Sequence, residues 1–252
     1  MHSKTKQLKE KILSFETVEE RLNCLKKSFS NKKAVILAPG PSLNDHDLSF
    51  LNNRDDIVIL AIKQAYDLSK GQTDFHIVNT YNFDKYKGYN YEHLNTIVFY
   101  GLAKSYVSQQ MEKLAIKPHP CDIWVPVVNP PYITYEQCMH KSADFDKFFM
   151  LSKEPQTWWG TSILYEQAIP MALLIGCKKI ITIGWDLGTG HFYKDKDVNF
   201  KPTAEVKETN ESILTTKELY DWCVKNNIEI NIISKTNPAD NRFTRINNLN
   251  EI

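Results

Sequence analysis

The chain has no cysteine pairing pattern, few glycines, no long apolar run and no excess of either charge. Its five cysteines, Cys24, Cys121, Cys138, Cys177 and Cys223, are odd in number and scattered, with no CxxC pair and no histidine at zinc-finger spacing. That excludes a disulfide scaffold and a zinc module and predicts reduced, mostly packed thiols. Lys4, Lys6, Lys9 and Lys11 are followed by no apolar block, so neither a signal peptide nor a membrane span is expected, and the expected location is the cytoplasm. Lysine and arginine number 31 against 30 acidic residues, a balance that argues against nucleic acid as a partner. The glycines nowhere form GxGxxG, the spacing that the pyrophosphate turn of a dinucleotide oxidoreductase requires. Internal repeats and low-complexity segments are also lacking.

What is present is an alternation of short apolar runs and helical patterns. Ala34–Ala38, Ile57–Ala61, Phe75–Val78, Thr96–Tyr100, Ile123–Val127, Lys179–Ile183 and Glu229–Ile233 read as strands. Helical spacing covers Lys104–Leu114, Ser162–Ile175 and Ile213–Asn226, with a kink expected at Pro170 and a C-cap at Gly176. Interleaving of this kind predicts a doubly wound, mostly parallel α/β sheet of the Rossmann-like type. The 252 residues suffice for one large core of this kind.

Residues 1–32 read as an N-terminal amphipathic helical segment, with Leu8, Ile12, Phe15, Leu22, Leu25 and Phe29 on one stripe. Met1 to Lys33 carry nine basic and four acidic residues. This surplus has two readings, peripheral contact with anionic membrane lipid or the solvated side of a packing or homo-oligomerising helix, and the second is favoured. Residues 33–252 then read as one Rossmann-like α/β domain. Two stretches break its alternation. The aromatic-rich segment from Asn129 to Trp159 predicts an inserted lid, and Gly188 to Asn210 is polar and charged.

The run Ala38-Pro39-Gly40-Pro41-Ser42-Leu43 ends the first strand in a tight turn. In open α/β sheets ligands sit at the carboxyl ends of such strands. Gly40 there admits close backbone approach to an anion, and Ser42 supplies a hydroxyl and an amide. A bulkier residue at Gly40 is accordingly expected to block a ligand while leaving the domain folded. The plain alternative is a strand-to-helix turn. Gly160-Thr161-Ser162 opens the next long helix as a second anion-compatible start. Asp186, after the strand Lys179–Ile183, falls at the same sheet edge, where it would meet a sugar hydroxyl, act in catalysis, hold a metal or cap a turn. The following loop, Gly188-Thr189-Gly190-His191-Phe192-Tyr193, offers His191 as an acid or base.

The GPSL turn, the strand Asp74-Phe75-His76-Ile77-Val78-Asn79, and Gly160-Thr161-Ser162 with Gly176 to Asp186 resemble the ordered landmarks of the bacterial lipo-oligosaccharide sialyltransferases. They also resemble the broader MptE-like family, which includes motility accessory factors and hydroxymethylpterin pyrophosphokinase. The likeness covers roughly residues 33 to 235 and implies a GT-A-like variant of the sheet, metal independence, and a CMP-sugar held by Ala38, Pro39, Gly40, Ser42, Asn79, Thr161 and Ser162. Three departures are visible. Pro39 stands where the family has an asparagine, Lys63-Gln64 where it has another, and no histidine lies between Lys194 and Leu219, where the family places its base.

The resulting expectation is a glycosyltransferase that moves a nucleotide-activated sugar, a CMP-activated acidic sugar such as sialic acid or a Kdo relative, onto a surface glycan or glycolipid. His191 would be the base and Asp186 its orienting partner or substitute. Lys63, beside Gln64, and the two helix starts would hold phosphate, Gly160 shaping the second of them, and Tyr193 or a lid tyrosine would donate to it. No resident cofactor is expected. The rivals are a Mg²⁺-dependent pyrophosphokinase, with Asp186 and Asp45 or Asp47 on the metal, and a non-catalytic nucleotide- or glycan-binding module.

Overall fold

The computed structural model describes residues 3–69, 71–79, 95–103, 122–127, 145, 163–187, 206–234, 237–247 and 249–252. Helices α1 (Ser3–Leu13) and α2 (Val18–Leu25) precede strand β1 (Lys33–Leu37). Two 3₁₀ turns, Pro41–Asp45 and Leu48–Leu51, lead to β2 (Ile57–Ile62), α3 (Ala65–Ser69) and β3 (Phe75–Asn79). Strands β4 (Ile97–Ala103) and β5 (Ile123–Val127) follow. A π-helical turn, Ile163–Ala168, runs into α4 (Ile169–Leu174), then β6 (Lys179–Ile183), α5 (Val206–Lys225), β7 (Glu229–Ile233) and the two-residue β8 (Thr244–Arg245).

Among the described residues eight strands join one sheet in the order β5-β4-β3-β2-β1-β6-β7-β8, and each of these pairings is parallel. The inner strands alternate between two buried faces, as β-geometry requires. Ala34, Ile36, Val58, Leu60, Phe75 and Ile77 face a core completed by Ile12, Leu22, Leu25, Met171, Leu219 and Trp222 of the helices. Val35, Leu37, Ile57, Ile59 and Ala61 face a second core closed by Leu43, Leu48, Leu51 and Tyr66. The doubly wound α/β reading is therefore correct at the level of architecture.

Two local features differ from the expected pattern. The N-terminal segment is two helices rather than one, because Thr17 starts a new helix. Its hydroxyl accepts from the Glu20 amide at 3.2 Å while the Glu20 carboxylate accepts from the Thr17 amide at 3.1 Å, the reciprocal arrangement that ends one helix direction and begins another. Around Pro170 the expected kink takes the form of the preceding π turn. Proline has no amide for the residue four back and its ring crowds that carbonyl, so the ladder widens before α4 resumes. The helix expected over Lys104–Leu114 lies outside the described residues. So does the lid segment apart from Phe145, which is buried with its ring 6.3 Å from that of Trp222.

Buried carboxylates tie the amino edge of the sheet together. Asp74, just before β3, accepts from the Ile59 amide of β2 at 2.9 Å and from the Thr5 hydroxyl of α1. Asp122, just before β5, repeats the device, accepting from the Val98 amide of β4 at 2.8 Å and pairing with Lys9 at 3.0 Å. Burial pushes the Asp122 carboxyl above its ordinary range, against the pull of Lys9. Arg21 adds a bond to the Asp122 carbonyl at 2.9 Å. Part of the N-terminal basic surplus thus pairs inside the fold. Asp74→Ala leaves the buried Ile59 amide without its side-chain acceptor and should lower stability by about 1–3 kcal/mol, read as a shifted urea midpoint. An unchanged midpoint would show that the amide finds another acceptor.

Candidate functional site

The chain leaves β1 for β2 on one side and returns for β6 on the other, so the strand order reverses between β1 and β6. Open parallel sheets bind ligands in the crevice beyond the carboxyl ends at such a reversal. Here both strands run past their last paired residues and bond to each other. Ala38 donates to the Ile183 carbonyl at 2.8 Å and Gly40 to the Gly184 carbonyl at 2.9 Å. The Ser42 amide donates to Asp186 Oδ2 at 2.8 Å, and the Ser42 hydroxyl to Oδ1 at 2.5 Å. Leu43 donates back to Gly40 at 3.1 Å, and the remaining turn residues, Pro39 and Pro41, have no amide to offer.

Every amide of the turn is therefore engaged within the protein. Asp186 meets both donors of Ser42 and caps the 3₁₀ turn from across the strand reversal. The expectation that a bulkier residue would leave the domain folded is corrected by the surroundings of Gly40. Its φ is an ordinary −70°, but a Cβ there would lie 2.2 Å from the Gly184 carbonyl oxygen and 2.4 Å from Asp186 Oδ2. Gly184 has φ +74°, and its own Cβ would lie 2.2 Å from the Ala38 carbonyl oxygen. The space that glycine leaves is filled by the neighbouring strand end.

Lys63 and Gln64 follow β2 on the same edge. Lys63 is left-handed, with φ 49°, and three bonds hold it so. Its amide donates to the Ile77 carbonyl at 3.0 Å, and its carbonyl accepts from the Tyr66 amide at 3.2 Å and from His76 Nε2 at 2.9 Å. His76 is fully buried and stacks on the Tyr66 ring, with centroids 4.3 Å apart and planes at 14°. Donation from Nε2 to a carbonyl fixes the neutral tautomer with its proton on that nitrogen. Burial drives the His76 pKa down to about 3, the Lys63 carbonyl opposing only in part. The sequence reading placed this histidine on the strand but gave it no role, because its partners Lys63 and Tyr66 lie on other elements.

Asn79 ends β3 at this edge. Gly160, Thr161, Ser162, His191 and Tyr193 lie outside the described residues. The structure thus brings Ala38, Pro39, Gly40, Ser42, Lys63, Gln64, Asn79 and Asp186 to one sheet edge. Among the described residues no group of three or more His, Cys, Asp or Glu side chains is set to hold a metal ion, and no helix is long and apolar enough to cross a membrane. Cys177 and Cys223 are buried thiols pushed up to about 12 by that burial, a setting that suppresses thiolate chemistry. No protein-family model, curated protein or solved structure matches the chain.

Two outcomes follow from this geometry. Gly40→Val forces the β1 and β6 ends apart and should cost at least about 3 kcal/mol, seen as a large loss of thermal stability in the unliganded protein. A folded variant of parental stability would mean that the turn can move away from Gly184. His76 accepts a proton in the unfolded chain near its ordinary value of 6.5 but in the folded chain only near 3. Stability from this group is complete above the first value and declines as pH falls toward the second, by up to about 1.4 kcal/mol per pH unit. Urea titrations near neutrality and at about pH 4 should show that decline, and His76→Gln should flatten it. An equally steep acid loss in the variant would assign the effect to other groups.

Proposed function

We propose that the chain is a glycosyltransferase that takes a nucleotide-activated sugar, a CMP-activated acidic sugar such as sialic acid or a Kdo relative, and transfers it to a hydroxyl of a surface glycan or glycolipid. The observation that carries the reading is the gathering of Ala38 to Ser42, Lys63, Gln64, Asn79 and Asp186 at the strand reversal. Its chemical identity rests on the sequence resemblance around the GPSL turn, the Gly-Thr-Ser helix start and the strand that ends in Gly184-Trp185-Asp186.

In this reaction the acceptor oxygen bonds to the anomeric carbon as the bond from that carbon to the phosphate oxygen breaks. The leaving nucleotide gains negative charge while the acceptor loses a proton. Since the turn amides are engaged, phosphate recognition in this reading falls to cationic and hydroxyl side chains, with Lys63 first among them. His191, five residues after Asp186 in the sequence, takes the acceptor proton, and Tyr193 donates to the departing phosphate. Asp186 keeps one lone-pair direction on each oxygen beside its bond to Ser42, so it can still orient a second donor. The transfer needs no metal, which separates it from the phosphotransferase reading, where Mg²⁺ is required.

Calorimetric titration with CMP, CDP, UDP, GDP and ATP, followed by turnover of a CMP-activated sugar with and without Mg²⁺, tests the proposal. Tight binding of CMP and metal-independent release of the sugar are expected. His191→Ala should keep CMP affinity but lose transfer by about a hundredfold or more. Lys63→Ala should weaken CMP binding by about 1.5–3 kcal/mol at low salt. Failure to bind any cytidine nucleotide would overturn the donor assignment, and Mg²⁺-dependent turnover of ATP would favour the pyrophosphokinase reading.

A further inference from the structure

Beyond Ile183 the chain leaves the sheet, and Gly184, Trp185 and Asp186 are each held by a different residue. Gly184 is bound through its carbonyl by the Gly40 amide, and Asp186 through its carboxylate by Ser42. Between them the Trp185 carbonyl accepts from the side-chain amide of Asn237. Left-handed residues flank this stretch, Gly184 at φ 74° and Leu187 at φ 51°, so no continuing ladder holds it straight.

Asn237 is itself built in. It is 9% exposed, and its Oδ1 accepts from the Ala239 amide at 2.8 Å. Arg245 draws the segment closed, donating to the carbonyls of Ala239 at 2.9 Å, Phe243 at 3.1 Å, Asp240 at 3.4 Å and Asn237 at 3.5 Å. Phe243 meets Trp185 edge to face, with centroids 6.4 Å apart and planes at 74°. The planar peptide that carries the Trp185 carbonyl also carries the Asp186 amide. Fixing that carbonyl sets the direction from which the Asp186 side chain leaves the chain.

We infer that Asn237 is a positioning residue of the sheet-edge site: it holds the Trp185–Asp186 peptide so that Asp186 stays on Ser42, and it thereby couples residues 237–245 to the Ala38–Ser42 turn. Only the ligand arm of this inference rests on the proposed nucleotide site. The coupling itself is readable without any ligand.

Amide hydrogen exchange on the full chain tests it. In Asn237→Ala the Ser42 amide should exchange at least about tenfold faster, with the sheet amides of Ile36 and Ile59 unchanged, because the opening is local. Acceleration shared equally by all three would make Asn237 a general stability residue, and an unchanged Ser42 rate would break the coupling. Either result overturns the inference. Should Asn237→Ala not fold, Asn237→Ser is measured in its place, since it keeps an acceptor for Ala239 but cannot reach Trp185. Failure of both to fold also counts against a positioning role. In the second arm, 5′-CMP affinity should fall about tenfold in the folded variant, following the loosened turn. If the parent does not bind 5′-CMP, the nucleotide reading fails while the Ser42 exchange rate still decides the coupling.

Discussion

The Gly40 amide reaches the Gly184 carbonyl because neither residue carries a side chain to hold the two strand ends apart. Strand β1 has parallel neighbours on both sides, and the chain must leave toward β2 and come back beside β6. At the point of reversal the sheet ladder gives out on both strands at once. An unpaired edge there would leave buried amides and carbonyls without partners. Two glycines and one Ser–Asp pair satisfy them, and the first 3₁₀ turn starts from the position they define. The geometry of the candidate site is thus a consequence of how the fold closes its own reversal.

Carboxylates satisfy strand ends on both edges of this sheet, by the same physics and with different neighbours. At the amino edge Asp74 and Asp122 accept strand amides beneath helices, with Thr5 and Lys9 as second partners. Both are enclosed on the helical side, and their second partners come from α1. At the carboxyl edge Asp186 accepts an amide and a hydroxyl from one residue and is only partly buried. An acceptor with lone pairs left over at a solvent-facing edge differs from one sealed under a helix. This contrast in exposure, rather than the residue type, is what makes Asp186 a site candidate and Asp74 a structural one.

The architecture was legible because parallel strands buried on both faces appear as short, continuous apolar runs. Ile123–Val127, Lys179–Ile183 and Glu229–Ile233 coincide with β5, β6 and β7. The amphipathic stripe of residues 1–32 was legible as well, but not its break at Thr17, where a short capping pattern competes with a continuous apolar spacing. That the GPSL turn and Asp186 would share one sheet edge was legible, because both follow strand ends. The roles within it were not. Whether a glycine after a strand admits a ligand or a neighbouring backbone depends on which strand lies alongside, and that is a fact of topology. Asn237 was invisible for the same reason: its partner, Trp185, is 52 residues away and lies on no shared periodic element.

Lys63 gives the candidate site a feature that closure of the sheet does not require. A left-handed conformation costs a residue with a Cβ about 1–2 kcal/mol, and glycine or asparagine adopts it at less cost. The chain places a lysine there and surrounds it with bonds from Ile77, Tyr66 and a buried histidine that burial keeps neutral near physiological pH. Strain of this sort persists only where the surroundings over-determine it, and it concentrates at sites where a particular side chain has to be presented. The Gly40, Ser42 and Asp186 arrangement can be accounted for by folding alone. The Lys63 backbone is held by bonds within the fold as well, and Lys27, with φ 58°, is left-handed too. Because the amides of the glycine turn are engaged, the cation that follows β2 is the group on this edge that the proposed reading assigns to phosphate.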